Sequence, residues 1–311
     1  MSGAVRRRLD AGRWHFQHGP IDCILGADGD AAAITAAVER AWQRFRGLLD
    51  ELVAELPLLR VDLAGAAGAA VAPRGAVARR MVAACRPHAQ DGRFITAMAA
   101  VAGSVADELI VAFDDPRIRR AFVNDGGDIA LHLGQGAAYD VGVFTDPAHG
   151  LARLAPDGRL RVDAASGVRG IATSGWRGRS LSLGIADSVT VLASTAAGAD
   201  AAATLIANAV DVADPRIRRR PARELRDDSD LGDRLVTCDV PALAAAQVER
   251  ALAGGAAAAR AQIAGGRIIA AVLALHGRFA VEGAVEDVAA ASAALSAPSP
   301  VTPVFRSLVT C

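Results

Sequence analysis

The sequence predicts an α+β fold in which antiparallel strands, grouped into mixed or antiparallel sheets, pack with helices. Three observations carry this expectation. Apolar residues recur at helical spacing in several stretches, most clearly from about Asp30 to Glu55. Runs of strand-like residues come in pairs around glycine turns, as hairpins require. Strands and helices do not alternate with the regular βαβ spacing of a doubly wound sheet.

Taken in order, residues 12–26 alternate loosely around Gly19-Pro20 and predict a hairpin. Val38, Trp42, Phe45, Leu49, Leu52 and Leu56 then mark one long amphipathic helix that Pro57 is expected to end. Residues 62–72, small and apolar, predict a loop or short helix before Pro73. A helix from about Gly75 to Cys85 stops near Pro87. Arg93–Phe113 opens with a short apolar segment and becomes a helix. AFVNDGGDIALHL predicts two strand arms around a glycine turn, and Tyr139–Thr145 and Leu160–Val162 add strands. The charged stretch Asp214–Asp233 is expected as a solvated loop. An Ala-rich helix over 241–264 follows, broken by Gly265-Gly266, and 267–282 forms a last hairpin. The expected organisation is one domain over 1–297 with a peripheral tail over 298–311. A weak echo, Val105-Ala106-Asp107 against Gly198-Ala199-Asp200, hints at internal duplication.

Composition narrows the chemistry. The 34 basic residues balance 34 acidic ones with no block of like charge, which argues against nucleic acid or an acidic membrane surface as partner. All 34 are arginine, so chemistry that needs a Walker-A or Schiff-base lysine is excluded. Cys23, Cys85, Cys238 and Cys311 lie far apart and form no C-x-x-C pair, which fits a reducing compartment. The N-terminal basic residues precede no apolar run, and no apolar stretch is long enough to span a bilayer, so a cytoplasmic protein is expected. The Ala-rich helices would suit packing within the domain or against a second subunit, leaving a homo-oligomer open.

The densest chemistry lies between Gly170 and Asp211. Asp200, Thr204, Asn208 and Asp211 fall within roughly an 80° arc of a helix. They form either a solvent-facing stripe, with Asp200 as an N-cap, or one wall of a confined site. All four side chains are short, and an Asp carboxylate with a Thr hydroxyl one turn on offers hard oxygen ligands suited to Mg²⁺. Asn124-Asp125-Gly126-Gly127-Asp128 is good hairpin chemistry. Its two glycines would also let a ligand approach the backbone, with Asn124 or Asp128 bonding it. Thr173-Ser174-Gly175 precedes Arg177 and Arg179, and such a turn can hold an anion or be a turn alone. Asp187 is a ligand group or a turn residue. No dinucleotide fingerprint, G-x-S-x-G elbow or H-E-x-x-H occurs.

NDGGDIAL, GIATSG, SVTVLA and GADAAATLIANAVD, in that order, resemble the FAD:protein FMN transferase (ApbE-like) superfamily, most closely its shorter cytoplasmic branch. The likeness covers roughly Phe94 to Asp211. It implies a T-fold-like α+β fold, FAD or another nucleotide as ligand, and Mg²⁺ held by Asp200 and Thr204. It places Gly126, Gly127 and Asp128 beside the flavin, equates Ala172–Gly175 with the family's A-T-S-G segment, and matches Asp107 to the aspartate that begins the family's preceding helix. Transferases carry a long insert with a His-Ile-x-Asp-Pro signature between the A-T-S-G and S-V-T-V motifs. Here only Trp176–Asp187 separates them. The resemblance therefore implies a phosphate-bearing small molecule in a Mg²⁺-assisted pocket, with FMN transfer or FAD hydrolysis as one use. A non-catalytic ligand-binding module, or an enzyme of one-carbon-carrier cofactor biosynthesis on the same pocket, are the alternatives.

Overall fold

The computed structural model describes residues 3–9, 12–143 and 158–284. In chain order the elements are β1 (Val5–Arg8), β2 (Arg13–His18), β3 (Ile21–Gly29), α1 (Ala31–Phe45), α2 (Leu48–Leu59), α3 (Ala66–Ala69), α4 (Ala76–Gln90) and α5 (Val101–Ile110). Then follow β4 (Ile118–Asp125), β5 (Asp128–Leu133), β6 (Ala138–Val143), β7 (Gly158–Asp163), β8 (Gly170–Ser174), β9 (Ser188–Ala193) and α6 (Ala196–Ala209). Last come β10 (Arg218–Pro221), α7 (Ala222–Leu225), β11 (Leu235–Asp239), α8 (Ala245–Ala264), β12 (Ala270–Leu275) and β13 (Arg278–Gly283). The fold is α+β.

Nine strands form one antiparallel sheet in the order β1-β2-β3-β4-β5-β8-β9-β12-β13. The order shows a duplication of topology. In each half a hairpin (β2–β3, then β8–β9) is followed by helices and by a second hairpin (β4–β5, then β12–β13) that docks beside the first. The Asp107/Asp200 echo does not mark equivalent places in this repeat, since α5 precedes the second hairpin of its half and α6 follows the first of its own.

One face of the sheet carries the helices. α5 lies on β4 and β5, α6 on β8 and β9, and α8 on β12 and β13. Phe16 anchors the first half's core against Trp42 and Phe45 at ring separations of 5.2 and 5.4 Å. Phe16 and Phe45 are fully buried, and each such side chain contributes roughly 1.5–3 kcal/mol. In the second half, buried alanines (Ala199, Ala202, Ala203) bring α6 close to the sheet. On the opposite face Leu160 and Val162 of β7 pack on Leu131, Ile171 and Leu192.

Several expectations need correction. The long helix over 30–55 is two helices, parted at Arg46-Gly47. Pro57 does not end the second of them, and Pro87 lies inside α4, which runs on to Gln90. The carbonyls these prolines leave without a donor belong to exposed Val53 and Ala83, where water can bond them. The Asp214–Asp233 stretch contains a strand and a short helix, and β10 pairs with β11. Its mixed charges are spent on local ion pairs such as Arg216–Asp214, Arg220–Glu224 and Arg223–Asp233. Asp211 lies beyond the end of α6, paired with Arg219, so it leaves the helical stripe. The end of the Tyr139–Thr145 strand beyond Val143, Cys311 and the 298–311 tail lie outside the described residues. No helix among those described is long and apolar enough to cross a membrane.

Candidate functional site

The β4–β5 hairpin closes through Gly126 and Gly127 at φ +64° and +118°, the left-handed backbone that a two-residue turn demands. Asp125 and Asp128 face each other across it. Strand alternation then sorts the neighbouring side chains between the two faces. Ala121 and Val123 belong to the helix-side core, so Asp125 and its cross-strand partner Asp128 lie on the helix side. Asn124 shares the other face with Phe122. On β8, Ala172 belongs to the helix-side core, which puts Ser174 on the helix side and Thr173 away from it. The Thr173 hydroxyl accordingly bonds that of Thr190, at 2.9 Å.

The hairpin is tied to its neighbours through its polar groups. Asp128 accepts from the backbone N–H of Thr173 at 3.2 Å, and Asn124 Oδ1 accepts from Gly127 N–H at 2.8 Å. The Nδ2 of Asn124 is buried without a hydrogen-bond partner among the described residues. Asp125 is 5% exposed and accepts from the N–H of Asp22 at 3.2 Å. Burial pushes its pKa up to about 7, with Asp128 adding to the rise and Arg179 opposing it.

Helices α5 and α6 cap each other. Asp107 of α5 accepts from the N–H groups of Ala196 and Ala197 at 3.0 and 2.9 Å, the opening residues of α6. Asp200 of α6 accepts in return from Gly103 N–H at 3.0 Å, in the first turn of α5. Both carboxylates thus satisfy helix N-terminal donors that would otherwise be orphaned. The approach is close. A Cβ on Gly103 would stand 2.3 Å from the Ala196 carbonyl oxygen, so only glycine fits there. Burial pushes the Asp107 pKa up, partly offset by those two amides.

Asp200 carries the most perturbed electrostatics of the predicted site residues. Burial raises its pKa well above the usual carboxylate range. The Asp128 carboxylate adds to the rise, followed by those of Asp125 and Asp107, while the Gly103 N–H opposes it. The structure therefore gathers Asp200, Asp128 and Asp107 from different elements, and adds Asp125. Thr204, one turn along α6, is half-buried, and no described residue hydrogen-bonds its hydroxyl. Cys85 of α4 lies near enough to Asp200 and Asp230 that their charges, after burial, push its thiol up.

Other predicted residues serve the surrounding frame. Asn208 Oδ1 accepts from Leu183 N–H at 2.9 Å and from the Ser182 hydroxyl at 3.2 Å, pinning the segment before β9 to α6. Asp187 spends both oxygens, accepting from Trp176 Nε1 at 3.2 Å and from His276 N–H at 2.6 Å. It thus ties the Trp176–Asp187 connection to the β12–β13 turn. Gly175 packs against the backbone of Asp187, where a Cβ would meet the carbonyl oxygen at 2.4 Å. The same connection brings Arg179 over the hairpin. Its Nη1 stands 3.0 Å from where a Cβ on Gly126 would be, and its Nη2 donates to the Pro20 carbonyl at 3.2 Å. Arg226 in turn donates to the Arg179 carbonyl at 2.6 Å.

Asp125, Gly103 and Cys85 are absent from the sequence-based site, whereas Arg179 is already named there beside the Thr173–Gly175 turn. Asp125 had a usable signal, since a two-residue turn at Gly126-Gly127 sets it opposite Asp128 on one face. Gly103 and Cys85 had none, because their place depends on how α4, α5 and α6 pack. Among the described residues, no group of three or more His, Cys, Asp or Glu side chains is disposed to hold a metal ion.

A family model described as AbpE bacteria matches residues 6–281. The UPF0280 protein MK0206 of Methanopyrus kandleri is 33% identical over 208 residues, covering 67% of this chain and 78% of its own. A UPF0280 protein of Methanosarcina acetivorans is 30% identical over 199 residues, covering 64% and 72% of the two chains. Among solved structures, the apo form of Pseudomonas stutzeri flavinyl transferase ApbE aligns with 90% of this chain and 93% of its own, at 14% identity and a TM-score of 0.36. With its family model matched over most of its length, this chain belongs to the AbpE bacteria family, an ApbE-like group.

Proposed function

We propose that this protein binds a phosphate-bearing small molecule, foremost a flavin nucleotide such as FAD, in a Mg²⁺-assisted pocket between α6 and the β4–β5 hairpin. A cytoplasmic setting is part of the proposal. The observation that carries it is the crowding of like charge on Asp200, whose pKa is raised by Asp128, Asp125 and Asp107 beyond what burial alone does. Such a cluster is relieved either by protons or by a cation.

The donor set suits Mg²⁺. Asp200 and the Thr204 hydroxyl, which has no hydrogen-bond partner among the described residues, are hard oxygen donors, and Mg²⁺ commonly takes one or two protein oxygens and completes its shell with water and phosphate. Asp200 and Thr204 would hold it. When bound, the ion neutralises phosphate charge and polarises a pyrophosphate oxygen. The protein's own groups then bind and orient. Gly127 leaves the backbone open to a ligand, Gly126 lies under the Arg179 guanidinium, and Ser174 turns its hydroxyl to the helix side. The Arg179 guanidinium beside the turn offers paired N–H donors to a phosphate.

Calorimetry with FAD, FMN and ADP, with and without Mg²⁺, tests this. Mg²⁺-dependent binding that weakens at least tenfold in Asp200→Asn is expected. Equal binding with and without the ion, or none at all, would overturn it.

A second reading, a ligand-binding module without catalysis, is favoured by the Trp176–Asp187 connection. That connection is short and tied down by Trp176 Nε1 on Asp187 and by Arg226 on the Arg179 carbonyl. AMP release from FAD and Mg²⁺ separates the two. Steady turnover excludes the binder, and tight binding without turnover supports it.

A further inference from the structure

We infer that two copies of this chain associate by pairing their β13 strands antiparallel, so that the nine-stranded sheet continues across a two-fold axis through Ala280. The two edges of the sheet are built differently. β1, at one end, exposes one apolar residue, Val5, followed by three like charges, Arg6, Arg7 and Arg8, which repel a second copy and guard the edge. β13, at the other end, instead exposes Phe279 (51%) and Val281 (43%). These two side chains share the face opposite α8, because Ala280 between them packs with the helix-side core.

Backbone geometry limits how a second strand can add. His276 and Gly277, at φ +48° and +71°, make a two-residue turn, and the pair flanking it, Leu275 and Arg278, exchanges both backbone bonds in such a hairpin. Alternation then directs the backbone of Arg278, Ala280 and Glu282 at β12 and leaves the N–H and C=O groups of Phe279 and Val281 facing outward. Only registers that set these outward residues against each other can form the ladder.

Three such registers centre on the strand's middle residues, and side-chain chemistry separates them. Centred on Phe279, the strand would face Phe279 with its own copy and leave Arg278 opposite Ala280. Centred on Val281, it would leave Glu282 opposite Ala280. Centred on Ala280, Arg278 meets Glu282 of the partner subunit on the helix side, and Phe279 meets Val281 of the partner subunit on the other. The two-fold axis repeats both pairs. The sequence RFAVE is thus complementary to its own reverse in charge and in apolar size. Arg278 already pairs with Glu249 of α8 at 2.9 Å, and Arg260 of α8 pairs with Glu282. The contact therefore joins two existing ion pairs into an alternating row of acid and base.

Sedimentation of the full-length chain over a wide concentration range tests the inference, with a reversible dimer expected. Glu282→Arg sets arginine against arginine twice and should weaken the dimer about tenfold. The swap Arg278→Glu with Glu282→Arg, made together with Glu249→Arg and Arg260→Glu so that the ion pairs to α8 are kept, should restore it, with circular dichroism reporting the fold of each variant. Ala280→Cys, on the axis, should cross-link to its own copy under mild oxidation well beyond wild type, and an exposed cysteine away from this edge, Val111→Cys, should not. A monomer at every concentration would overturn the inference. So would a dimer indifferent to Glu282→Arg, a cysteine at 280 that fails to cross-link, or dimers that form only after residues 285–311 are removed, which would give the edge to the chain's own C-terminal segment.

Discussion

Replacing Asp125 by asparagine isolates the electrostatic tension of the site. The substitution keeps the shape and the acceptor for the Asp22 N–H, and removes only the ability to carry charge. Burial holds the folded-state pKa of Asp125 at about 7, against an ordinary 3.8. Between those values the folded protein keeps the proton that the unfolded chain releases. The resulting stability is fully present below pH ~4 and is lost as pH rises through ~7. Each pH unit of that gap is worth about 1.4 kcal/mol, so ionising Asp125 costs the folded state up to about 4 kcal/mol by pH 8. Asp200 and Asp107 are shifted in the same direction and contribute to the wild-type profile. The diagnostic quantity is therefore the difference between wild type and Asp125→Asn. Urea unfolding in chelator-containing buffer from pH 4.5 to 8.5 should show near-equal stability at the acid end, with the variant gaining several kcal/mol by the alkaline end. Parallel curves would refute a buried, protonated Asp125 and with it the crowding on which the cation proposal depends.

Three further outcomes follow from the same geometry. Gly103→Ala forces a methyl into the Ala196 carbonyl and should destabilise the fold by about 1–3 kcal/mol, seen as a lower melting temperature together with weaker nucleotide binding. Asp107→Ala orphans the Ala196 and Ala197 amides and should cost about 1–2 kcal/mol in urea unfolding, with Asp107→Asn recovering part of it. His88, buried against Gln262 at 3.1 Å, has its pKa lowered to about 4 by burial and then by the charges of Arg267 and Arg93. Its contribution is present above pH ~6.5 and lost as pH falls through ~4. His88→Gln should therefore flatten up to about 3 kcal/mol of the acid-side loss of stability.

The chemistry at Asp200 needs groups that no local pattern connects. Asp128 arrives on a hairpin from the first half of the fold, Asp107 on the helix before it, and Asp200 on the first helix of the second half. Their mutual repulsion exists only because β5 and β8 pair and join the halves into one sheet. A ligand or ion seated there would therefore touch both halves at once.

Much of this architecture was legible in the sequence because it depends on near neighbours. The Gly126-Gly127 turn, the Gly19 hairpin, the Ala-rich helix 245–264 and the last hairpin are set by dihedral preference and periodicity, which act over a few residues. The order of motifs likewise pointed to the ApbE-like family. Packing decided the rest. Pro57 and Pro87 sit within helices because the carbonyls they abandon face water, which depends on the side of each helix that the core covers. The pleat turns Asn124 and Thr173 away from Asp200 and turns Asp125 toward it, a division that follows from which face of β4 and β8 the helices cover. Asp107 and Asp200 are mutual helix caps only because Gly103 lets two helices touch. Sequence by itself determined most of the elements and named the residue types of the candidate site. Tertiary structure decided which carboxylates share a space, because burial and Coulomb repulsion depend on distances between segments far apart in the chain.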